Sequence, residues 1–356
     1  MKILYVGKFE KSHRTQNYVI HSLEQLGHQV VKFNDREMNT DGQLLVRDYS
    51  TYDFVLFSKN RAKKLAKFID YLKQQEVLTV CWQWDVYGIP ERRKFPVEIN
   101  CDLYLSSNPA DASHHSNHSV LRQGIHNPES EMFFADEGEG FKYPVSFVGH
   151  NGRGFQPGRR SLVEFLKRTY GTNFHHFTTV RGFKLNEVLA RSRVVVGDSY
   201  PLPGVKYWSN RVYEILGRGG FLLHPRTEGL EEEFEEGVHY VAYERGNYQQ
   251  LFEMVNYYLK HDEEREAIRR AGFLHVNQNY TYTDRVKELI EIVSSRLSLP
   301  VAPPSVCSAE VRVEGEASVA DKPLEAESEA SEEVSPNMPE ADLSSTPSEA
   351  LGDDLS

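Results

Sequence analysis

Residues 209–225 read SNRVYEILGRGGFLLHP, and this stretch decides the fold. It predicts a helix over 209–219 with Ser209 as its cap, closed by Gly217, Gly219 and Gly220. It then predicts a strand over 221–225 that runs apolar without alternation, as strands buried on both faces of a parallel sheet do. The same alternation continues on both sides. Upstream lie strands at 145–150 (VSFVGH), 174–180 (FHHFTTV) and 194–199 (VVVGDS), with helices at 158–169 and 184–191 between them. Downstream, a strand at 239–243 (HYVAY) precedes helices at 247–260, 262–273 and 282–297.

An equivalent pattern fills the first third of the chain. Strands are expected at 2–7, 28–33, 53–58, 77–83, 102–107 and 120–124, with helices at 14–26 and 61–75. The fold class is therefore α/β, with two Rossmann-like, doubly wound parallel-sheet domains facing a cleft. The expected divisions are a domain over 1–126, a polar linker over 127–142, a second domain over 143–298 and a tail over 299–356. The final helix, 282–297, is expected to pack back across the join between the domains.

Charge separates the tail from the body. The chain has 356 residues and a formal net charge of −11, from 41 basic and 52 acidic side chains. Residues 301–356 hold 14 of the acidic and 2 of the basic ones, so residues 1–300 carry 39 basic and 38 acidic groups. With Pro, Ser, Ala, Val and Glu dominant and no aromatic residue, the tail is expected to be disordered. The balanced body argues against a nucleic-acid binder, which needs a concentrated basic surface. No stretch approaches the ~20 apolar residues of a transmembrane helix, and MKILYVG reads as a strand, not a leader. Three sparse cysteines, Cys81, Cys101 and Cys307, fit a reducing compartment, so a cytoplasmic location is expected.

The chemistry concentrates at 197–245. The start of the helix at Ser209, Asn210 and Arg211 offers free N–H groups and a cation to an anion. Glu214, one turn on, is a carboxylate able to accept two hydrogen bonds from a ribose diol. Gly220 permits close backbone approach, and the loop after the strand brings Arg226, Glu228 and Gly229. Together these point to a nucleotide-diphosphate ligand. The preceding loop, YPLPGVKYW (200–208), is expected to wrap its base.

The run SNRVYEILGRGGFLLHPRTEGLEEEFEEGVHYVAY (209–243), with YYLKHDEEREAIRRAG (257–272) and YTYTDRV (280–286), resembles the C-terminal domain of CgeB-like, spore-maturation-type glycosyltransferases. The resemblance covers about 190–287. It implies the GT-B fold, a nucleotide-sugar donor and glycosyl transfer, with Glu214 in the place of the glutamate that binds the donor ribose. Retaining members of the broader GT-B families often carry a second glutamate eight positions earlier. Lys206 stands there in this chain, so the paired pattern is broken.

Other candidates follow from position at strand ends. The loop FVGHNGRGFQPGRR (147–160) offers Arg153, Arg159 and Arg160 to the leaving diphosphate, an electrostatic role that would replace a metal. On the acceptor side stand Gly7 and Lys8 after the first strand, Trp84 as a stacking face, and Asp85 as the general base for an acceptor hydroxyl. No cofactor or metal is expected; His114, His115 and His118 lack an adjoining carboxylate or thiol ligand. The run Glu231–Glu236 and the basic group Lys59, Arg61, Lys63, Lys64 and Lys67 read as solvated faces. The partners expected are a nucleotide-diphosphate sugar and an acceptor of open identity. A nucleotide-sugar epimerase on the same fold and a noncatalytic two-domain binding or assembly protein are the competing readings. A Rossmann oxidoreductase is disfavoured because MKILYVGKFEKS lacks GxGxxG spacing.

Overall fold

In a computed structural model of the chain, the described residues are 1–35, 45, 47–58, 63–84, 100–113, 115–126, 140–151, 158–201 and 204–297. Asp85, Arg153, Lys59, Arg61, His114, most of the linker and the whole tail lie outside them.

The first sheet is built on β1 (Lys2–Gly7), whose residues from Ile3 onward are buried. β1 pairs in parallel with β2 (Gln29–Asn34) on one side and β3 (Phe54–Ser58) on the other. The sheet continues through β4 (Leu78–Gln83), β5 (Leu103–Ser106) and β6 (His118–Val120), all parallel, in the order β2-β1-β3-β4-β5-β6. Its helices are α1 (Thr15–Gln25) and α2 (Lys63–Gln74). α1 buries Val19, Ile20 and Leu23 against one face of the sheet; α2 buries Leu65, Phe68, Ile69 and Leu72 against the other. Gly27, with φ +81°, ends the α1 turn in a conformation glycine adopts without strain.

The sixth strand is shorter and earlier than the expected 120–124. After Leu121 N–H donates to Ser106 O, the chain leaves the sheet, and Ile125 N–H donates to Tyr280 O. Residues 125 and 281 form a parallel bridge there, so the two stretches of chain that cross between the halves run side by side. Gly124 makes this possible, since a Cβ would sit 2.7 Å from Tyr280 O.

The second sheet, also parallel, has the order β11-β10-β9-β7-β8. Its strands are β7 (Tyr143–Val148), β8 (Phe174–Phe177), β9 (Ser192–Val196), β10 (Leu222–Pro225) and β11 (Val241–Tyr243). Its helices are α3 (Arg159–Tyr170), α4 (Phe183–Ala190), α5 (Arg211–Gly217), α6 (Tyr248–Tyr258) and α7 (Asp262–Asn279). α7 runs six residues beyond the expected end at 273, and its Val276 is buried beside Ile125 and Leu216 in one of the second half's two cores.

α8 (Tyr282–Leu297) belongs to the first half. Tyr282, Val286, Leu289 and Val293 join Ile3, Tyr5, Val19 and Leu23 in a single core. At about 1.5–3 kcal/mol per fully buried apolar side chain, this helix is a large part of that core's stability. The chain therefore begins and, within the described residues, ends in the same core.

Candidate functional site

In each sheet the strand order reverses once: between β1 and β3 in the first, between β7 and β9 in the second. Loops leave in opposite directions at such a point, and the crevice outside the carboxyl ends of those strands is where open α/β sheets bind ligands. At the second switch point the chain gathers charge. Asp198 follows β9, and its side chain is 3% exposed. Arg159, in the first turn of α3, donates Nε to Asp198 Oδ2 at 2.8 Å. Arg245, in the loop after β11, donates Nη1 to Oδ1 at 3.0 Å. Arg211, the first residue of α5, donates Nη1 to Asp198 O at 2.9 Å.

Two guanidinium groups thus hold the Asp198 carboxylate and a third holds its backbone carbonyl, a local net charge of +2. Burial, with Arg159 beside it, pulls the Arg211 guanidinium down to about 10, so it remains charged at neutral pH. Among the described residues Arg211 makes this single hydrogen bond, which leaves Nε and Nη2 open. The backbone at the end of β7 comes right up to it. Gly149 has φ +146°, and a Cβ there would sit 3.0 Å from Arg211 Nη2. His176 Nε2 donates to Gly149 O at 2.7 Å and holds that turn in place.

A buried polar chain fixes the other side. His224 Nδ1 donates to Pro225 O at 2.8 Å, so Nε2 accepts from Ser199 Oγ at 3.0 Å. Ser199 Oγ in turn accepts from Ser209 N–H at 3.0 Å. Burial pulls His224 down to about 4, so the ring is neutral and both bonds are made by one tautomer.

Glu214 lies on α5 with its carboxylate ion-paired to Arg218, and it accepts from Asn210 Nδ2 at 3.3 Å. Arg218 also donates to Asn186 Oδ1. The Glu214 charge reaches the first half of the chain. Tyr18 is raised by burial first and then by Glu214, and His126, pulled to about 4 mainly by burial, feels Glu214 in the opposite sense. Tyr18 and His126 stack at 4.3 Å.

Several expected roles need correction. α5 begins at Arg211, not Ser209, and has 7 residues; Ser209 does not cap it but donates Oγ to Asp198 O at 3.3 Å. Arg160 turns to solvent, 77% exposed and paired with Glu164, because one step of helical phase separates it from inward-facing Arg159. Gly220 is a packing position: a Cβ there would meet Ile215 Cγ2 at 2.8 Å. Trp84 offers no stacking face, being 3% exposed with its ring edge-on to Trp82 at 5.8 Å. Trp82 is buried as well and donates Nε1 to Leu121 O.

The remaining candidates sit where their strands end. Gly7 closes β1, and Lys8 is 44% exposed beside Asp35 at 3.8 Å. Glu228 is exposed, and the turn at Gly229, φ +83°, lies against the stem of Lys206. Lys206 pairs with Glu232.

The acidic run 231–236 is solvated at Glu231, Glu232, Glu235 and Glu236, but it is not a helix face. Leu230–Glu232 is one short 3₁₀ turn, and Phe234 is 1% exposed. Glu236 pairs with Arg226, and Glu233 is held by Arg122 at 3.5 Å and Arg285 at 3.2 Å. Arg245, Arg122 and Arg285 were not singled out by sequence reasoning. Arg245 had a usable signal, since it follows a β-like run just where a loop leaves the sheet.

No group of His, Cys, Asp and Glu among the described residues could hold a metal ion. No helix among them is long and apolar enough to cross a membrane.

Residues 152–291 match a family model described as glycosyl transferase-like. No curated protein matches the chain. Among solved structures, a glycosyltransferase from Rickettsia africae shares 12% identity, with 83% of this chain and 98% of that one aligned at a TM-score of 0.56. HepE of Anabaena, solved with UDP and glucose, shares 14% identity over 83% of this chain and all of that one, at a TM-score of 0.55. The sucrose-phosphate synthase of Thermosynechococcus elongatus shares 10% over 83% and 99%, at a TM-score of 0.59. The chain has the GT-B fold, and the match to the glycosyl transferase-like model begins at the loop after β7 and ends within α8.

Proposed function

We propose that this protein is a glycosyltransferase that moves a sugar from a nucleotide-diphosphate sugar to an acceptor hydroxyl. The observation that carries the reading is the cluster of Arg159, Arg211 and Arg245 around Asp198, two on its carboxylate and one on its backbone carbonyl, at the switch point of the second sheet. A net +2 with two open Arg211 donors suits a diphosphate, and fixed guanidinium groups stabilise the charge that grows on it as the glycosidic bond breaks. The solved neighbours HepE and T4 phage BGT were captured with UDP, glucose or UDP-glucose, which favours the same ligand class here. Within the wider family the resemblance to CgeB-like proteins stands as the finer placement.

In this reading the diphosphate lies against Gly149 and Arg211, and Glu214, three residues on from Arg211 in α5, takes the ribose diol. The three arginines supply the charge that a divalent ion would otherwise provide, so transfer is expected to survive chelation of metals. Asp85, which follows Trp84 at the end of β4, is proposed as the base that deprotonates the acceptor. The free, buried thiols of Cys81 and Cys101 fit a cytoplasmic setting.

The test is a thermal-shift screen with UDP, GDP, ADP and dTDP and their sugars. A nucleotide bound at a hundred times its Kd stabilises the fold by about 2.7 kcal/mol. Glu214→Ala should weaken the hit, and Asp85→Asn should spare binding while removing transfer. Absence of a shift with every nucleotide would sink the donor site.

A further inference from the structure

Two stretches of chain cross between the halves, 121–126 and 280–285, and each sends one arginine to the same carboxylate. Arg122 and Arg285 both reach Glu233, which belongs to the second half. Glu233 Oε2 also accepts from Tyr213 Oη at 2.5 Å, and that hydroxyl accepts from Trp208 Nε1 at 3.0 Å.

Arg122 uses the whole of its guanidinium. Nη1 donates to Ser107 O at 3.1 Å in the first half, and Nη2 donates to Lys206 O at 3.1 Å in the second. Its plane lies 3.6 Å over the Trp208 ring. Arg285 donates Nε to Gln123 O at 3.1 Å, which ties the two crossings together. Lys206 and Trp208 are the last part of the loop that delivers Ser209 and Arg211 to the diphosphate cluster.

Buried apolar contacts tolerate sliding; directed arginine bonds to a carbonyl, a ring and a carboxylate hold in one arrangement only. Replacing such a group by packed apolar residues is often neutral or stabilising, so stability alone gives little reason for it. We propose that Arg122 is a positioning residue: it registers the loop Val205–Trp208, and through it Arg211, against the acceptor half of the protein. This rests on the glycosyltransferase reading and adds to it a residue remote from the donor.

The test compares Arg122→Gln and Arg122→Lys with Val293→Ala, which weakens the α8 core without touching the loop. Hydrogen exchange of amides 204–210 needs no ligand and is the first readout. UDP affinity and UDP-glucose turnover are the second. Both Arg122 variants should speed exchange in 204–210 and lower turnover by about tenfold, the scale of ordinary coupling between sites. UDP affinity should stay within about threefold, since the arginines on Asp198 are intact. Val293→Ala should lower the melting temperature and change neither exchange in that loop nor turnover. Exchange in Arg122→Gln and Arg122→Lys that matches the wild type overturns the proposal. So do Arg122 variants that lose exchange protection everywhere, in step with Val293→Ala. A wild-type protein that binds no nucleotide refutes the donor reading instead, and the exchange comparison then still decides what Arg122 does.

Discussion

Removing the carboxylate of Asp198 while keeping its shape is the sharpest perturbation of the arginine cluster around it. Asp198→Asn leaves Arg159, which is 5% exposed, and Arg245 without their counter-charge, and takes the local net charge from +2 to +3. Breaking a buried pair by removing one partner costs about 3–5 kcal/mol, because the other charge stays buried and uncompensated. For a domain of this size each kcal/mol moves the melting temperature by about 2–4 °C, so the variant should melt roughly 10 °C below the wild type. If the cluster is an anion site, pyrophosphate or UDP takes the place of the lost carboxylate. The ligand-induced rise in melting temperature should then be larger in the variant than in the wild type. The assay is a pair of melts with and without pyrophosphate, at fixed ionic strength to hold screening constant. A variant that melts with the wild type would show that Asp198 is not the counter-charge. A smaller pyrophosphate shift in the variant would show that the arginines do not face the ligand.

Four further outcomes are expected. Gly149→Ala places a Cβ 3.0 Å from Arg211 Nη2 at a φ that L residues rarely adopt, and should cost about 1–3 kcal/mol together with much of the nucleotide affinity; calorimetry with UDP checks this. Arg160→Ala should change neither melting temperature nor UDP affinity, whereas Arg159→Ala should lower both, a contrast of adjacent residues that titration and melts would resolve. Leu289→Ala on α8 should cost about 2–5 kcal/mol by chemical denaturation, with increased exchange of β1 amides, because the helix completes that sheet's core. The His224 imidazole is held near 4 by burial and returns to near 6.5 on unfolding, so the unfolded chain binds the extra proton between those values. Stability should fall by about 3 kcal/mol as pH drops from 6.5 to 4, and His224→Gln should flatten that slope in urea melts.

The alternation of apolar runs and helical periods was enough to give two parallel sheets, because the central strands β1, β3, β4 and β5 of one and β7, β9 and β10 of the other are buried almost throughout. It could not say what α8 packs against. An amphipathic helix announces a buried face, not its partner, and the partner here is α1, some 260 residues earlier. The β6 boundary slipped for a similar reason: VLRQG reads as a strand, but the crossing with Thr281 draws it out of the sheet. At the site, Arg159 and Arg211 were legible because they follow strands β7 and β9 at the end where ligands bind. Arg160 was not separable from Arg159 without the helical phase. In the acidic run at 231–236, the single apolar residue, Phe234, is the one that turns inward, and the glutamate beside it, Glu233, is the one drawn into ion pairs.

The arginine clusters at Glu233 and at Asp198 have hydrogen-bond accounts that differ in a way that separates ligand binding from architecture. At Glu233, two arginines meet one carboxylate, a net +1, and the surplus is spread over the carbonyls of Ser107, Gln123 and Lys206 and the rings of Trp208, Tyr213 and Tyr280. Nothing there is left for a ligand to satisfy. At Asp198, two arginines meet the carboxylate and Arg211 meets the backbone carbonyl, which leaves Arg211 with two unused donors beside a glycine that has no side chain to cover them. A half-buried cation with open donors is within reach of an anion that completes it. Neutral sugars or amides would satisfy the donors and leave the charge; a monoanion would leave half of it. A diphosphate would do both, and for that reason the proposed donor reading rests on the cluster more than on the net charge of the chain.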